Sequence, residues 1–226
     1  MDYFGLIPSE LNNIIVSYLF LDELDLLVKT FIILNLNWST IHTYHFNEYK
    51  PITFTEYLSK LGVEVFIKKL GLDISVDTLY NFKELHLNYF KIERVPPEIK
   101  YLTNLVEIYL DDNKIERVPL EIFNLTNLTV LDLSSNKIVQ VPKEIGNLHN
   151  LQSLNLSDNE IIQVPPEIGR LTNLLRLNLS RNKIKELPKE MGTLYNLMFL
   201  FISENKIEQV PIEIRILPKL VVLIRY

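Results

Sequence analysis

The sequence contains no cysteine, only 6 glycines and only 4 histidines. Without cysteine there can be no disulfide and no thiolate ligand or nucleophile. A secreted repeat protein of this size would usually carry disulfide-bonded caps, so an intracellular location, cytoplasmic or nuclear, is expected. The glycines offer no phosphate-cradling loop; three of them, Gly146, Gly169 and Gly192, share one position of a repeat. His42, His45, His86 and His149 show no metal-ligand spacing. No nucleophile stands paired with a base. No catalytic residue, cofactor or metal is therefore expected, and the chain does not read as an enzyme. Long apolar runs are missing too. The start, "MDYFGLIPSE", has no basic segment and is not expected to act as a signal peptide. Phe31 to Leu34, the longest apolar run near it, is far too short to span a bilayer, so no membrane partner is expected.

Positive charge is scarce at one end. Of the net charge of −5, residues 1–80 supply all of it, with 10 acidic against 5 basic side chains. Residues 81–226 hold 18 of each. With no basic excess to neutralise phosphates, nucleic acid is not an expected partner.

A period dominates the rest. From "FKELHLNYFKIERVPPEIKYLTN" (82–104), a 23-residue unit recurs six times, and "LVVLIRY" (220–226) begins a seventh. In each unit, apolar residues at positions 4 and 6 alternate with polar ones, as in Leu131 and Leu133, which predicts a short strand with one buried side. Asparagine follows at Asn113, Asn136, Asn159, Asn182 and Asn205. An amide at a tight bend can satisfy backbone groups of its own coil and of the adjacent one. Pro96, Pro119, Pro142, Pro165, Pro188 and Pro211, each with Glu two residues on, mark the start of a helical turn or short helix, with proline at the first helical position. A parallel sheet on one side and helical turns on the other define an α/β solenoid.

These residues resemble the leucine-rich repeats of intracellular proteins, the LPxxI type, over residues 82–226. The resemblance implies a right-handed arc with the parallel sheet on its concave face. The first unit departs from the pattern at Phe90, where Asn is expected. Strand residues turned away from the core would line the hollow and meet a protein client. Position 3 contributes Glu84, Glu107, Arg176 and Phe199, and position 5 contributes His86, Tyr109, Asp132, Asn155, Asn178 and Phe201. Asp111 at position 7 and Arg181 at position 8 complete the candidate face. The early end is acidic and aromatic, the middle small and polar, and the late end apolar, with Val222 and Ile224 beside Phe199 and Phe201. That late cluster is expected either to bind the client or to support self-association through the last strand.

The head is helical by pattern. Leu11, Ile14, Ile15, Tyr18 and Leu19 form one stripe of an amphipathic helix. Asp22 is placed to cap a second helix, and residues 55–70 read as a third. Residues 6–24 resemble an F-box, through Ile7-Pro8, Glu10-Leu11, Ile14-Ile15, Ser17-Tyr18-Leu19 and Leu24. That resemblance implies a helical bundle docking on the small adaptor of cullin–RING ubiquitin ligases, with Ile7, Pro8, Leu11, Ile15 and Leu24 as the contact patch. The expected organisation is an F-box-like domain at 1–50, a helical linker or cap at 51–81 and repeats at 82–226. The expected function is that of a non-enzymatic substrate receptor of such a ligase. The alternative is an interaction scaffold or signalling adaptor whose N-terminal helices only cap the solenoid.

Overall fold

In the computed structural model, residues 54–224 are described. The stripe from Leu11, the helix expected after Asp22 and the whole F-box-like stretch lie outside the described residues. The chain divides into two units, with the boundary between Tyr80 and Asn81.

In the first unit, helix α1 (Phe54–Leu70) occupies the segment read as helical. Lys68 and Lys69 stand in its last turn, where cations offset the partial negative charge of the unpaired carbonyls. Gly71 stops the helix with φ of +62°. Its N–H reaches the Lys68 carbonyl at 3.3 Å and the Leu72 N–H reaches Ile67 at 3.1 Å, the double bond of a Schellman cap. Helix α2 (Val76–Tyr80) begins at Ser75, whose Oγ accepts the Thr78 N–H at 3.2 Å. An ion pair of 2.8 Å between Lys60 and Asp77 links the two helices. Val63, Phe66 and Leu79 are buried.

The second unit is a stack of coils. Seven three-residue strands, β1 (Glu84–His86), β2 (Glu107–Tyr109), β3 (Val130–Asp132), β4 (Ser153–Asn155), β5 (Arg176–Asn178), β6 (Phe199–Phe201) and β7 (Val222–Ile224), form one sheet in sequence order. All pair in parallel, and each register step is the repeat length, as in Glu84 opposite Glu107. The apolar positions form continuous columns: Ile108, Leu131, Leu154, Leu177 and Leu200 are fully buried, and Leu110, Leu133, Leu156 and Leu179 are within 2% of it.

The return path is a 3-10 turn in five coils: Pro97–Tyr101, Leu120–Asn124, Lys143–Asn147, Pro166–Arg170 and Lys189–Thr193. In the sixth it is helix α3 (Ile212–Arg215). The recurring proline stands one place earlier than its pattern suggests. It is the N-cap, extended at ψ of 135–146°, and its carbonyl accepts the first turn bond, as from Ile145 to Pro142 at 3.1 Å. The ring holds φ near its helical value while the extended ψ lets the chain enter from the strand side. At Gly169 a methyl group would overlap the Glu190 carbonyl, and at Gly146 it would lie 2.8 Å from the Glu167 carbonyl. Glycine at this position lets neighbouring turns stack closely.

Two amide ladders tie coil to coil. Asn159 accepts the Ile138 N–H at 2.9 Å and donates to the carbonyls of Leu133, Leu156 and Ser157 at 2.9, 3.2 and 3.1 Å. Asn113, Asn136, Asn182 and Asn205 repeat the arrangement. The residue just before each of these asparagines is left-handed, with φ of 52–55° at Asp112, Ser135, Asp158, Arg181 and Glu204. The second ladder runs through the last residue of each unit: Asn127, Asn150, Asn173 and Asn196 each donate to a carbonyl of the preceding coil. Lys219 takes that place in the sixth coil and donates to Asn196 Oδ1 at 2.7 Å.

Candidate protein-binding face

Because a strand alternates its side chains, burying position 4 turns positions 3 and 5 outward. Every strand from β2 to β6 has a buried middle residue flanked by half-buried or exposed ones. The candidate residues from Glu84 to Phe201 therefore lie along one wall, with equivalent positions on neighbouring strands. Val222 is half-buried and Ile224 is 41% exposed.

The early end is a connected cluster. Tyr109 donates its hydroxyl to Glu107 Oε2 at 2.6 Å. The His86 ring stacks on Tyr109 at 4.7 Å between centroids and 5° between planes. His86 Nε2 lies 3.3 Å from Glu84 Oε2. The hydrogen bond to Glu107, then burial, then the charges of Glu107, Glu84 and Asp132 push the Tyr109 phenol up to about 12. Burial raises the Asp111 carboxyl, reinforced by Asp132 and Asp112 and opposed by a backbone hydrogen bond and by His86.

A raised phenol pKa has a definite sign in linkage. The neutral form is favoured in the folded state. Its contribution to stability is complete below the ordinary tyrosine value of 10.0 and is lost as pH rises towards about 12. Near-ultraviolet titration of tyrosinate should therefore show the Tyr109 phenol ionising later than an ordinary exposed tyrosine, and the late component should shrink by one phenol in Tyr109→Phe. Glu107→Gln should move it earlier. An unchanged titration in both variants would remove the Tyr109–Glu107 bond from the account.

The middle of the wall is largely occupied by its own bonds. Asp132 accepts both the N–H and the hydroxyl of Ser134, at 2.9 and 2.6 Å, and its other oxygen accepts from Asn155 at 3.0 Å. Asn155 accepts from the N–H and the hydroxyl of Ser157, and Asn178 accepts the Ser180 N–H. These side chains brace the strand ends as well as facing the hollow. At the late end, the Arg176 guanidinium sits 5.1 Å from the Phe201 ring centroid, on the neighbouring strand. Arg181 lies between Glu204 at 2.9 Å and Asp158 at 3.3 Å. Those carboxylates raise its pKa and give the trio a formal charge of −1. Phe199 and Phe201 are half-buried.

Ile7, Pro8, Leu11, Ile15 and Leu24 lie outside the described residues. Among the described residues, no cluster of histidine and carboxylates could hold a metal ion, and no helix is long and apolar enough to cross a membrane. Tyr89, at 69% exposure, adds an aromatic next to the acidic end, its phenol raised chiefly by Asp112. Its alternation column shows it in the sequence, but its left-handed backbone, φ 64°, does not.

Comparison with known proteins agrees with this geometry. Residues 103–161 and 173–194 match family models described as leucine-rich repeat. No match was found among curated proteins. A leucine-rich-repeat protein of Leptospira interrogans is similar in structure, with TM-score 0.62 and 39% identity over 64% of this chain and 37% of that one. The repeat ectodomain of the Arabidopsis thaliana membrane receptor kinase GASSHO1/SCHENGEN3, solved in complex with Casparian strip integrity factor 2, gives TM-score 0.53 and 39% identity. It is matched over 56% of this chain and 16% of that one. A PEPR1–AtPEP1 structure gives TM-score 0.52 and 30% identity over 56% of this chain and 18% of that one. The chain thus spans well under half the length of each of these three solved chains. It contains leucine-rich repeats folded as a parallel-sheet solenoid.

Proposed function

We propose that this leucine-rich-repeat chain is a non-enzymatic binding module whose inner wall takes a protein client inside the cell, and that residues 6–24 join it to the small adaptor of a cullin–RING ubiquitin ligase. The observation that carries the binding reading is the wall itself. Seven strands roughly 4.8 Å apart give about 30 Å of graded surface. A stacked aromatic cluster of His86 and Tyr109 marks one end, and Arg176 against Phe201 the other. A surface of that reach suits a protein partner better than a metabolite. Tyrosine, phenylalanine and arginine are the side chains most able to anchor one. The receptor ectodomain that resembles this unit was solved with a bound factor, which supports the same use of the fold.

The ligase connection rests on the F-box resemblance of Ile7, Pro8, Leu11, Ile15 and Leu24. A pull-down of the full chain with purified adaptor tests it. Wild type should retain the adaptor, and Pro8→Ala with Leu11→Asp should lose it without a change in the unfolding midpoint of the repeats. Failure of wild type to bind, or equal binding by the double variant, rejects the connection.

The second reading is a scaffold or signalling adaptor in which the N-terminal helices serve as a cap. It is favoured by the family matches, which fall on the repeats alone. Deleting residues 1–50 separates the two: the scaffold reading requires retained client binding with a less stable stack, the receptor reading retained client binding with loss of the adaptor.

A further inference from the structure

The zero balance of residues 81–226 hides a division of charge within the first three coils. Their inner wall carries Glu84, Glu107, Asp111, Asp112 and Asp132 and no lysine or arginine. On the flank that joins the sheet to the 3-10 turns, the same coils place Lys91, Arg94, Lys114, Arg117 and Lys137 against only Glu93 and Glu116. Five cations less two carboxylates leaves +3 on one side, opposite −5 on the other. The repeat register aligns Lys91, Lys114 and Lys137 in one row and Arg94 and Arg117 in another.

Four of these five cations line open space. A hollow of about 630 Å³ is bounded by Arg94, Lys114, Arg117 and Lys137 with Glu93 and Glu116. A second, of about 800 Å³, shares Glu116, Arg117 and Lys137 and adds Glu160, already bound by Lys183, with Leu120 and Val139, which are 52% and 38% exposed. Through the shared residues the two adjoin as one groove, with Leu120 and Val139 beside the cations. All four cations are exposed, and Lys137 lies close enough to Glu160 to help lower its pKa. Further along the stack the pattern changes: Lys183 is bound to Glu160 at 2.7 Å.

We propose that this flank groove binds an extended peptide segment in which carboxylate and aliphatic side chains alternate. In an extended chain successive side chains point to opposite sides, so one edge can meet the arginines while the other rests on Leu120 and Val139. Guanidinium groups suit carboxylates because two N–H donors match two oxygens. A nucleic acid fits less well. Glu93, Glu116 and Glu160 interrupt the cations and would oppose a continuous phosphate backbone, whereas the aliphatic positions of an alternating peptide can pass them, and the groove has no aromatic ring for bases to stack on. The acidic inner wall of the same coils repels such a segment, which confines it to the flank. The site is thus separate from the client wall.

Fluorescence anisotropy with the full chain at low ionic strength tests this. The probe is a labelled peptide of alternating Glu and Leu; the comparators are a peptide of alternating Lys and Leu and a labelled single-stranded oligonucleotide. The Glu–Leu probe should bind most tightly. Arg94→Glu with Arg117→Glu should weaken it by about tenfold or more, the loss expected when charge-assisted bonds are replaced by repulsion. Lys185→Glu with Lys206→Glu makes the same change in net charge outside the groove and should alter affinity by less than about twofold, since screening limits distant charges. Lys114→Glu with Lys137→Glu is a second groove pair, read in the same way should the arginine pair unfold. The proposal is overturned if wild type does not bind the Glu–Leu probe, if groove and distant pairs weaken it equally, or if the oligonucleotide binds more tightly.

Discussion

Leu156→Asp should break the repeat stack rather than merely soften it. Leu156 is 2% exposed in the fourth coil, in a column with Leu133 and Leu179. Its N–H donates to the Asn178 carbonyl at 2.8 Å, and its own carbonyl accepts from Asn159 and Asn182. Removing the leucine side chain alone costs about 2–5 kcal/mol in a packed core. A carboxylate in its place has no cation within the column, and burying it adds several kcal/mol or forces it to take up a proton. A solenoid's stability is roughly a sum of coil and neighbour terms, so failure of the fourth coil removes the interfaces on both sides of it. Urea unfolding followed by circular dichroism should show loss of the single transition, with residual structure on either side of the fourth coil. Leu156→Met, which keeps the volume, should cost less than about 1.5 kcal/mol. A Leu156→Asp chain that still unfolds in one step near the wild-type midpoint would contradict continuous packing through this column.

The period, the strand positions and the asparagine bend could all be read directly from the sequence, because burial on one side of a strand forces alternation and stacking forces identity from coil to coil. The left-handed residue before each asparagine could not. It is Asp112, Ser135, Asp158, Arg181 or Glu204, never glycine, so no turn signature marks it. The amide bonds impose that conformation against a local cost of about 1–2 kcal/mol per residue. The second ladder was equally hidden: Asn127 and its equivalents form a visible column, but nothing local tells that their amides reach a carbonyl of the preceding coil. On the inner wall, alternation identified which residues face outward. The pairing of His86 with Tyr109, of Arg176 with Phe201, and of Arg181 with two carboxylates depends on rotamers chosen between strands. The basic flank is hidden in the net charge of the repeats as a whole and separates only by row and coil. The F-box resemblance concerns residues beyond those described, and its test is the adaptor.

Asn159→Ala should cost about 2–4 kcal/mol, an amount set by one N–H rather than by the number of bonds lost. Four backbone groups contact the Asn159 amide, but they do not depend on it equally. The Leu133 carbonyl also accepts from Asn136, the Leu156 carbonyl from Asn182, and the Ser157 carbonyl from the Ser135 N–H. Each keeps a partner when Asn159 is truncated. The Ile138 N–H has only Asn159 Oδ1, at 2.9 Å in a buried setting, and would be left unpaired. An unsatisfied buried donor costs about 1–3 kcal/mol, and the space left by the amide adds to it. Asn159→Asp distinguishes donor from acceptor. A carboxylate still accepts from Ile138 but turns its remaining lone pairs on three carbonyls, so at neutral pH it should be no better than alanine. Protonation restores a donor, so the folded-state pKa of the new carboxyl is raised and stability should increase as pH falls through it. Asn205→Ala provides the control in the sixth coil. Asn205 makes the equivalent bond to Ile184 at 3.1 Å but is only half-buried, so water can replace the lost partner and the cost should be markedly smaller. Urea unfolding of the three variants decides the matter: equal losses for Asn159→Ala and Asn205→Ala would mean that packing, rather than the orphaned N–H, sets the strength of the ladder.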